Sequence, residues 1–399
     1  MWSIFTLSVS TNRFTWTSDS GLRDKPEKWR VPPLLTAAQR DLGRRHLQAK
    51  ARPRPDGGRN TQTPDGGATP LVVSLALSAF SLFSEEAEQK PEKDVKEDSA
   101  EDEIIFLLKK AKLCIMKGEL EEAERLLHEA ARLSHQSDNK NGIIYTYDTM
   151  ANLAFLRGQL DHAEKLFKAA MSLLLAGNMK QDDNAIIEMS LKLASIYAAQ
   201  DQVQLALAGY QFCILTLEEK IAKQKGLATD ALPAEEEQID THLLLGLSLD
   251  SYARYLLAHK QAAAAERLYE RALQISTEVQ GETHPQTIVL MNDLATAIDA
   301  QGRYDDAYAR VKRASDLAQQ TEHPETYVIL NNLAGILMHK EDFSQARQVY
   351  KEALKRAEEA GEGAVVQHIR KELTELARRQ KLARSAENSI KKGDEGGKD

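Results

Sequence analysis

The sequence predicts an all-α protein: a solenoid of helix–turn–helix units behind a disordered N-terminal leader. Three observations carry this. Downstream of Glu103 proline nearly vanishes; of the 11 prolines only Pro233, Pro285 and Pro324 lie there, among abundant Ala, Leu, Glu and Lys. Apolar residues recur at helical spacing, as in Ile104, Leu107, Leu108, Ala111 and Ile115, and no alternating run marks a strand. One short order of residue types returns six times.

The leader comes first. The whole chain of 399 residues carries 52 Lys and Arg against 60 Asp and Glu, a net charge of −8. Residues 1–70 hold 12 basic and 6 acidic residues, so the remainder carries −14. Basic residues concentrate between Arg40 and Arg59, and Pro53, Pro55, Gly57, Gly58, Gly66 and Gly67 then break any regular element. An Arg-rich, acid-poor stretch is the composition of an organelle-targeting presequence; a basic tail or an alternative first exon is the competing reading. Residues 71–83, Leu71 to Phe83, are apolar throughout apart from serines. As a helix they reach about 20 Å, short of the roughly 30 Å hydrocarbon core, so they read as a marginal membrane span or the apolar part of a cleavable sorting signal. Residues 84–103 hold 10 acids and 3 lysines and read as an acidic linker.

The six repeats occupy 104–362. Their order is a turn residue, a large apolar residue, Ala, a large residue and a small one. It runs Gly118–Leu120–Ala123–Leu127–Ala130, Gly158–Leu160–Ala163–Phe167–Ala170, Asp201–Val203–Ala206–Tyr210–Cys213, Lys260–Ala262–Ala265–Tyr269–Ala272, Gly302–Tyr304–Ala307–Val311–Ala314 and Glu341–Phe343–Ala346–Tyr350–Ala353. Seven residues before each turn stands Ala: Ala111, Ala151, Ala194, Ala253, Ala295 and Ala334. Two helices approach to about 8–10 Å only where small residues meet at their crossing, and these paired alanines supply it. The turns are 40, 43, 59, 42 and 39 residues apart. The long step holds Lys223–Asp240, which reads as an exposed loop or a hinge between two halves. His284-Pro285 and His323-Pro324 stand in matched contexts, so their prolines suit helix starts and their histidines suit a repeated loop rather than a metal pair. Residues 363–384 read as a capping helix over the last apolar face, and 385–399 as a disordered tail.

Several function classes fall away. The acidic balance is wrong for a nucleic-acid binder. Two cysteines, Cys114 and Cys213, make neither a disulfide scaffold nor a Cys-rich metal site, and both sit at inward repeat positions. No phosphate loop, dinucleotide fingerprint, zincin helix or nucleophile elbow is present. The sequence therefore points to no enzyme, no cofactor and no metal; what remains is binding.

The repeated order resembles that of the tetratricopeptide-repeat family, whose units are helix hairpins of about 34 residues. That resemblance implies a groove lined by the first helix of each hairpin. Its second, fifth, ninth and twelfth positions are Tyr145, Asp148, Asn152 and Phe155 in the second repeat, with Lys112, Lys192, Ser195, Arg254, Asn292, Thr296 and Asn331 in others. Asn pairs with a ligand's backbone N–H and C=O together, so an extended or helical peptide is the natural ligand. Met291–Ala295 and Leu330–Ala334 resemble kinesin light-chain repeats, which leaves open a cytosolic adaptor for peptide cargo or a cytokinesis scaffold. Tyr145–Phe155, Asp183–Tyr197 and His284–Met291 are similar to a mitochondrial branch of the family over about residues 103–380. Membership there implies a noncatalytic protein of the mitochondrial inner membrane that binds respiratory complex III, including the Rieske protein. It further implies a part in assembly and maintenance of that complex and in turnover of Rieske fragments. Met1–Arg30 departs from the Arg-rich presequence of that branch.

Overall fold

The computed structural model describes residues 95–226 and 233–395, with side chains from 100 to 226 and from 233 to 382. The leader expected over 1–70, the apolar segment 71–83 and the start of the acidic linker lie outside the described residues.

Thirteen helices and no strand make up the described residues: α1 Val95–Lys117, α2 Leu120–Gln136, α3 Lys140–Leu156, α4 Leu160–Ala176, α5 Asn184–Ala199, α6 Val203–Lys225, α7 Glu235–Ala258, α8 Ala262–Gln280, α9 Pro285–Asp299, α10 Tyr304–Gln320, α11 Thr326–His339, α12 Phe343–Glu359 and α13 Gly363–Glu395. Each of the six repeat turns joins an odd-numbered helix to the next. All six turn residues are left-handed: φ is 77° at Gly118, 80° at Gly158, 60° at Asp201, 62° at Lys260, 78° at Gly302 and 62° at Glu341. Such a residue closes a helix by letting the next N–H reach back to a free carbonyl. Glu119 N–H donates to Cys114 O at 2.9 Å, Gln159 to Ala154 O at 2.9 Å, Gln202 to Tyr197 O at 2.9 Å, Gln261 to Leu256 O at 2.9 Å and Asp342 to Leu337 O at 3.0 Å.

The chain divides into two compact units, and the division falls inside the fourth hairpin, between Tyr255 and Leu256 and again at both ends of Arg271–Val279. In the first unit α1 packs on α2, α3 on α4 and α5 on α6, and each hairpin packs on the next through α2–α3 and α4–α5. In the second, α9 packs on α10 and α11 on α12, with α10–α11 and α12–α13 joining them. The crossing alanines are the tightest points. Ala111, Ala151, Ala194, Ala253, Ala295 and Ala334, and the alanines after the turns, Ala123, Ala163, Ala206, Ala265, Ala307 and Ala346, are all 0% exposed. Leu127, Phe167, Tyr210, Tyr269, Val311 and Tyr350, four residues on, are buried as well. Cys114 and Cys213 are buried core residues; burial raises both thiols, Cys213 to about 12.

The structure corrects several boundaries. Helix α1 starts at Val95, inside the expected linker, because no breaker follows Pro91 and acids suit a helix N-terminus. Both ends of the expected loop Lys223–Asp240 are helix, since α6 runs to Lys225 and α7 starts at Glu235. It is no hinge between halves: Lys220 pairs with Glu237 at 3.2 Å, and Asn184 Nδ2 donates to Thr241 Oγ1 at 3.1 Å, both inside the first unit. Helix α13 continues to Glu395, through most of the expected tail, on Ala, Arg, Glu and Lys, which favour helix. Its Val365, Ile369 and Leu376 are buried, as a capping helix requires. Pro285 opens α9, but Pro324 stands before the cap residue Glu325 of α11, outside the helix. In both loops the histidine is structural: His284 Nδ1 accepts the Gln286 N–H at 3.2 Å and His323 Nδ1 accepts the Glu325 N–H at 3.1 Å.

Candidate peptide-binding face

The first helix of each hairpin brings polar side chains to one stripe. In the first unit Asp148 on α3 is the centre. Its Oδ2 accepts from Asn152 Nδ2 at 3.0 Å, one turn on, and its Oδ1 lies 3.3 Å from Lys192 Nζ on α5. Lys192 also reaches Glu188 Oε1 at 3.1 Å and stands 5.4 Å from the centre of the Phe167 ring. Burial alone would lower the Lys192 pKa, but Asp148 and Glu188 outweigh it and hold the ammonium above the ordinary lysine range. Lys112 on α1 is the opposite case: burial pushes it down to about 8, against the pull of Asp148. Burial, then the Asp148 charge, raises Tyr145.

Further along the same unit, Arg254 Nη2 holds Asp250 Oδ2 at 2.5 Å on α7. Beside it Tyr210 stacks on Tyr252 with ring centres 5.5 Å apart and tilts against Tyr255 at 5.6 Å. Burial lifts the Tyr210 hydroxyl to about 12, opposed by its hydrogen bond with Ser195 and by the charge of Arg254.

The second unit has an amide ladder in the same register. Asn332 Nδ2 on α11 donates to Asn292 Oδ1 on α9 at 2.8 Å, Thr296 Oγ1 donates to the Asn292 carbonyl at 3.0 Å, and His339 Nδ1 meets Asp299 Oδ1 at 2.8 Å.

Of the eleven residues that the sequence places on the groove, Lys112, Tyr145, Asp148, Asn152, Phe155, Asn292, Thr296 and Asn331 are buried; Lys192, Ser195 and Arg254 are partly exposed. Phe155 lies in the apolar cluster with Ile144, Ala151 and Phe167, so it is core. The stripe is thus an internal polar network that presents two cations, rather than an open row of amides. Close alanine crossings cause this, because they press neighbouring helices onto the side chains between them. The sequence reading missed Glu188, Asp250 and Asn332. The first two were legible as carboxylates one helical turn before Lys192 and Arg254.

A family model described as "Tetratricopeptide repeat" matches residues 244–320 and 300–359. The chain is 58% identical over 329 residues to "Tetratricopeptide repeat protein 19, mitochondrial" of Homo sapiens, which covers 82% of this chain and 86% of that protein. The chain belongs to the tetratricopeptide repeat protein 19 family. The Rattus norvegicus member, also named mitochondrial, is 55% identical over 361 residues, 89% of this chain and 98% of its own. That share extends the family likeness upstream of the described helices. The family reaches further still: the Drosophila melanogaster homolog is 26% identical over 214 residues, 54% of this chain and 55% of that protein. Among solved structures, the apo form of RapI has a TM-score of 0.51 at 14% identity, covering 75% of this chain and 80% of that one, a likeness of fold alone. Membership fixes the fold class as a tetratricopeptide solenoid, and tetratricopeptide folds serve protein–protein interaction.

Proposed function

We propose that this chain is a noncatalytic protein-binding scaffold of the mitochondrial inner membrane. In this reading it supports assembly and maintenance of respiratory complex III, including turnover of Rieske iron–sulfur subunit fragments. The observation that carries the reading is the 58% identity, over 82% of the chain, to a relative named mitochondrial. The basic stretch Arg40–Arg59 and the apolar residues 71–83 supply the targeting and membrane contact it needs. Among the described residues no helix is long and apolar enough to cross a membrane. The bound segment is a peptide with acidic or backbone carbonyl groups. Lys192 and Arg254 meet it, each oriented by the carboxylates beneath: Asp148 and Glu188 for one, Asp250 for the other.

The test is purification of a C-terminally tagged chain from intact mitochondria. Complex III subunits, the Rieske protein among them, should be recovered, and recovery should drop for Lys192→Ala/Arg254→Ala in a variant that circular dichroism shows to remain folded. Their reproducible absence overturns the partner assignment. A chain found uncleaved and only in the cytosol overturns the location and favours an adaptor for peptide cargo.

A further inference from the structure

The outer face of α6 is unlike that of the other second helices. From Val203 to Leu217 it has no charged residue. Counted from their turns, α2 and α10 carry Glu122, Arg125, Glu129, Arg132 and Asp306, Ala309, Arg313, Asp316 at four outer positions. At those positions α6 carries Leu205, Ala208, Phe212 and Leu215. Leu205 is 49% exposed, Phe212 39% and Leu215 64%, and Ala208 is exposed too. Steps of three, four and three residues keep all four in one narrow seam, the pattern by which one helix packs along another. An exposed apolar seam on one helix, where its counterparts are charged, marks a contact surface.

We propose that this seam pairs with the same seam of a second copy of the chain, α6 antiparallel to α6 about a two-fold axis beside residue 210. The spacing of the seam is symmetric about that point. Antiparallel pairing sets Leu205 opposite Leu215 of the second copy, and small Ala208 opposite large Phe212, so protrusion meets recess twice. A two-fold interface requires this self-complementarity. No charge inside the seam opposes the pairing. Asp201 and Glu219 bound it, and Lys223, 3.0 Å from Glu219, supplies the counter-charge where the two acids face across the axis. Four positions on one helix fall short of the about 800 Å² per partner of a standard stable interface, so the dimer is weak and concentration-dependent.

The register makes the proposal testable by charge placement in the full chain. Leu205→Glu/Leu215→Glu sets like charges opposite each other, whereas Leu205→Glu/Leu215→Lys sets opposite charges together; both variants put two charges on one helix. Sedimentation velocity across a concentration series should show reversible dimerisation of the unaltered chain. The like-charge variant should dissociate at about tenfold or more higher concentration, and the opposite-charge variant should stay close to the unaltered chain. Circular dichroism melting confirms that each is folded. A chain that is monomeric throughout, or two variants that lose association equally, overturns the pairing. So does an unaltered monomer that floats with phosphatidylcholine–phosphatidylglycerol vesicles and loses them on Leu215→Glu, since that makes the seam a bilayer contact.

Discussion

Lys192 on α5 bridges to Asp148 on α3 with Nζ 3.3 Å from Oδ1, and the two side chains are only 13% and 8% exposed. The pair ties the second hairpin to the third from inside. Lys112 on α1 lies in the field of the same Asp148. One carboxylate therefore balances cations from two other helices. Asp148→Ala should cost about 3 kcal/mol, because it removes a buried carboxylate shared by Lys112 and Lys192 and leaves Lys192 with Glu188 alone. Lys192→Met should cost less, since Asn152 still donates to Asp148 at 3.0 Å. Urea unfolding at constant m measures both. A loss under about 1 kcal/mol for Asp148→Ala would contradict the central role of this carboxylate.

Three of the six repeat turns put an L side chain at a left-handed φ: 60° at Asp201, 62° at Lys260 and 62° at Glu341. That conformation costs a non-glycine residue roughly 1–2 kcal/mol, part of which glycine returns through the entropy of the unfolded chain. Lys260→Gly and Glu341→Gly should each stabilise by about 0.5–1 kcal/mol, and Asp201→Gly by less, because Asp tolerates this region. A higher urea midpoint for the first two checks this. A lower one would mean that the side chains hold the turns in place.

Sequence legibility followed the physics of packing. The crossing alanines and the large residues four positions on were readable because a helix crossing admits few residue types, and every one of them is buried. The turns were readable even without glycine, as at Lys260, because the flanking order located them. The large apolar position two residues after each turn misled: Leu120 is partly buried, while Val203 is 43% and Tyr304 36% exposed. These residues open their helices at the end of a hairpin, where neighbours are few. The groove residues lie on the first helices of their hairpins, and most of them are buried. Spacing gives the face of a helix, but how tightly a neighbouring helix closes over Asn152 or Asn331 depends on packing across repeats.

Gly209 was not legible as a contact, yet it is one. A Cβ there would stand 2.7 Å from the Ala194 Cβ and 3.3 Å from its Cα, so α5 and α6 cross with no room for a methyl group. Helix propensity alone favours Gly→Ala by up to about 1 kcal/mol. At Gly209 overpacking should reverse the sign and cost about 1–3 kcal/mol. Gly246 on α7 is the control, because a Cβ there would meet Ile275 Cγ2 at an ordinary 3.6 Å. Gly246→Ala should be neutral or stabilising. Melting temperatures that move together in the two variants would refute the close crossing.

His323 sets a pH dependence whose sign is fixed by its hydrogen bond. The ring is 5% exposed, and its Nδ1 accepts the Glu325 N–H at 3.1 Å, so it must be unprotonated there. Burial holds its pKa below the ordinary value, with the Pro285 carbonyl acting in the opposite sense. The unfolded chain thus takes up the proton first. The stability that this ring contributes is complete above about pH 6.5 and drains away as pH falls toward the depressed folded value. Glu362 and Glu372 act oppositely: burial raises both, so protonating them as pH falls favours the folded state. Replacing the ring by an amide separates the two effects. The side-chain oxygen of His323→Asn accepts the same N–H but does not titrate. Between about pH 7 and 5.5 the unaltered chain should lose stability more steeply than His323→Asn, while the two run parallel above about pH 7. Equal slopes across that window would show that His323 is not the group responsible.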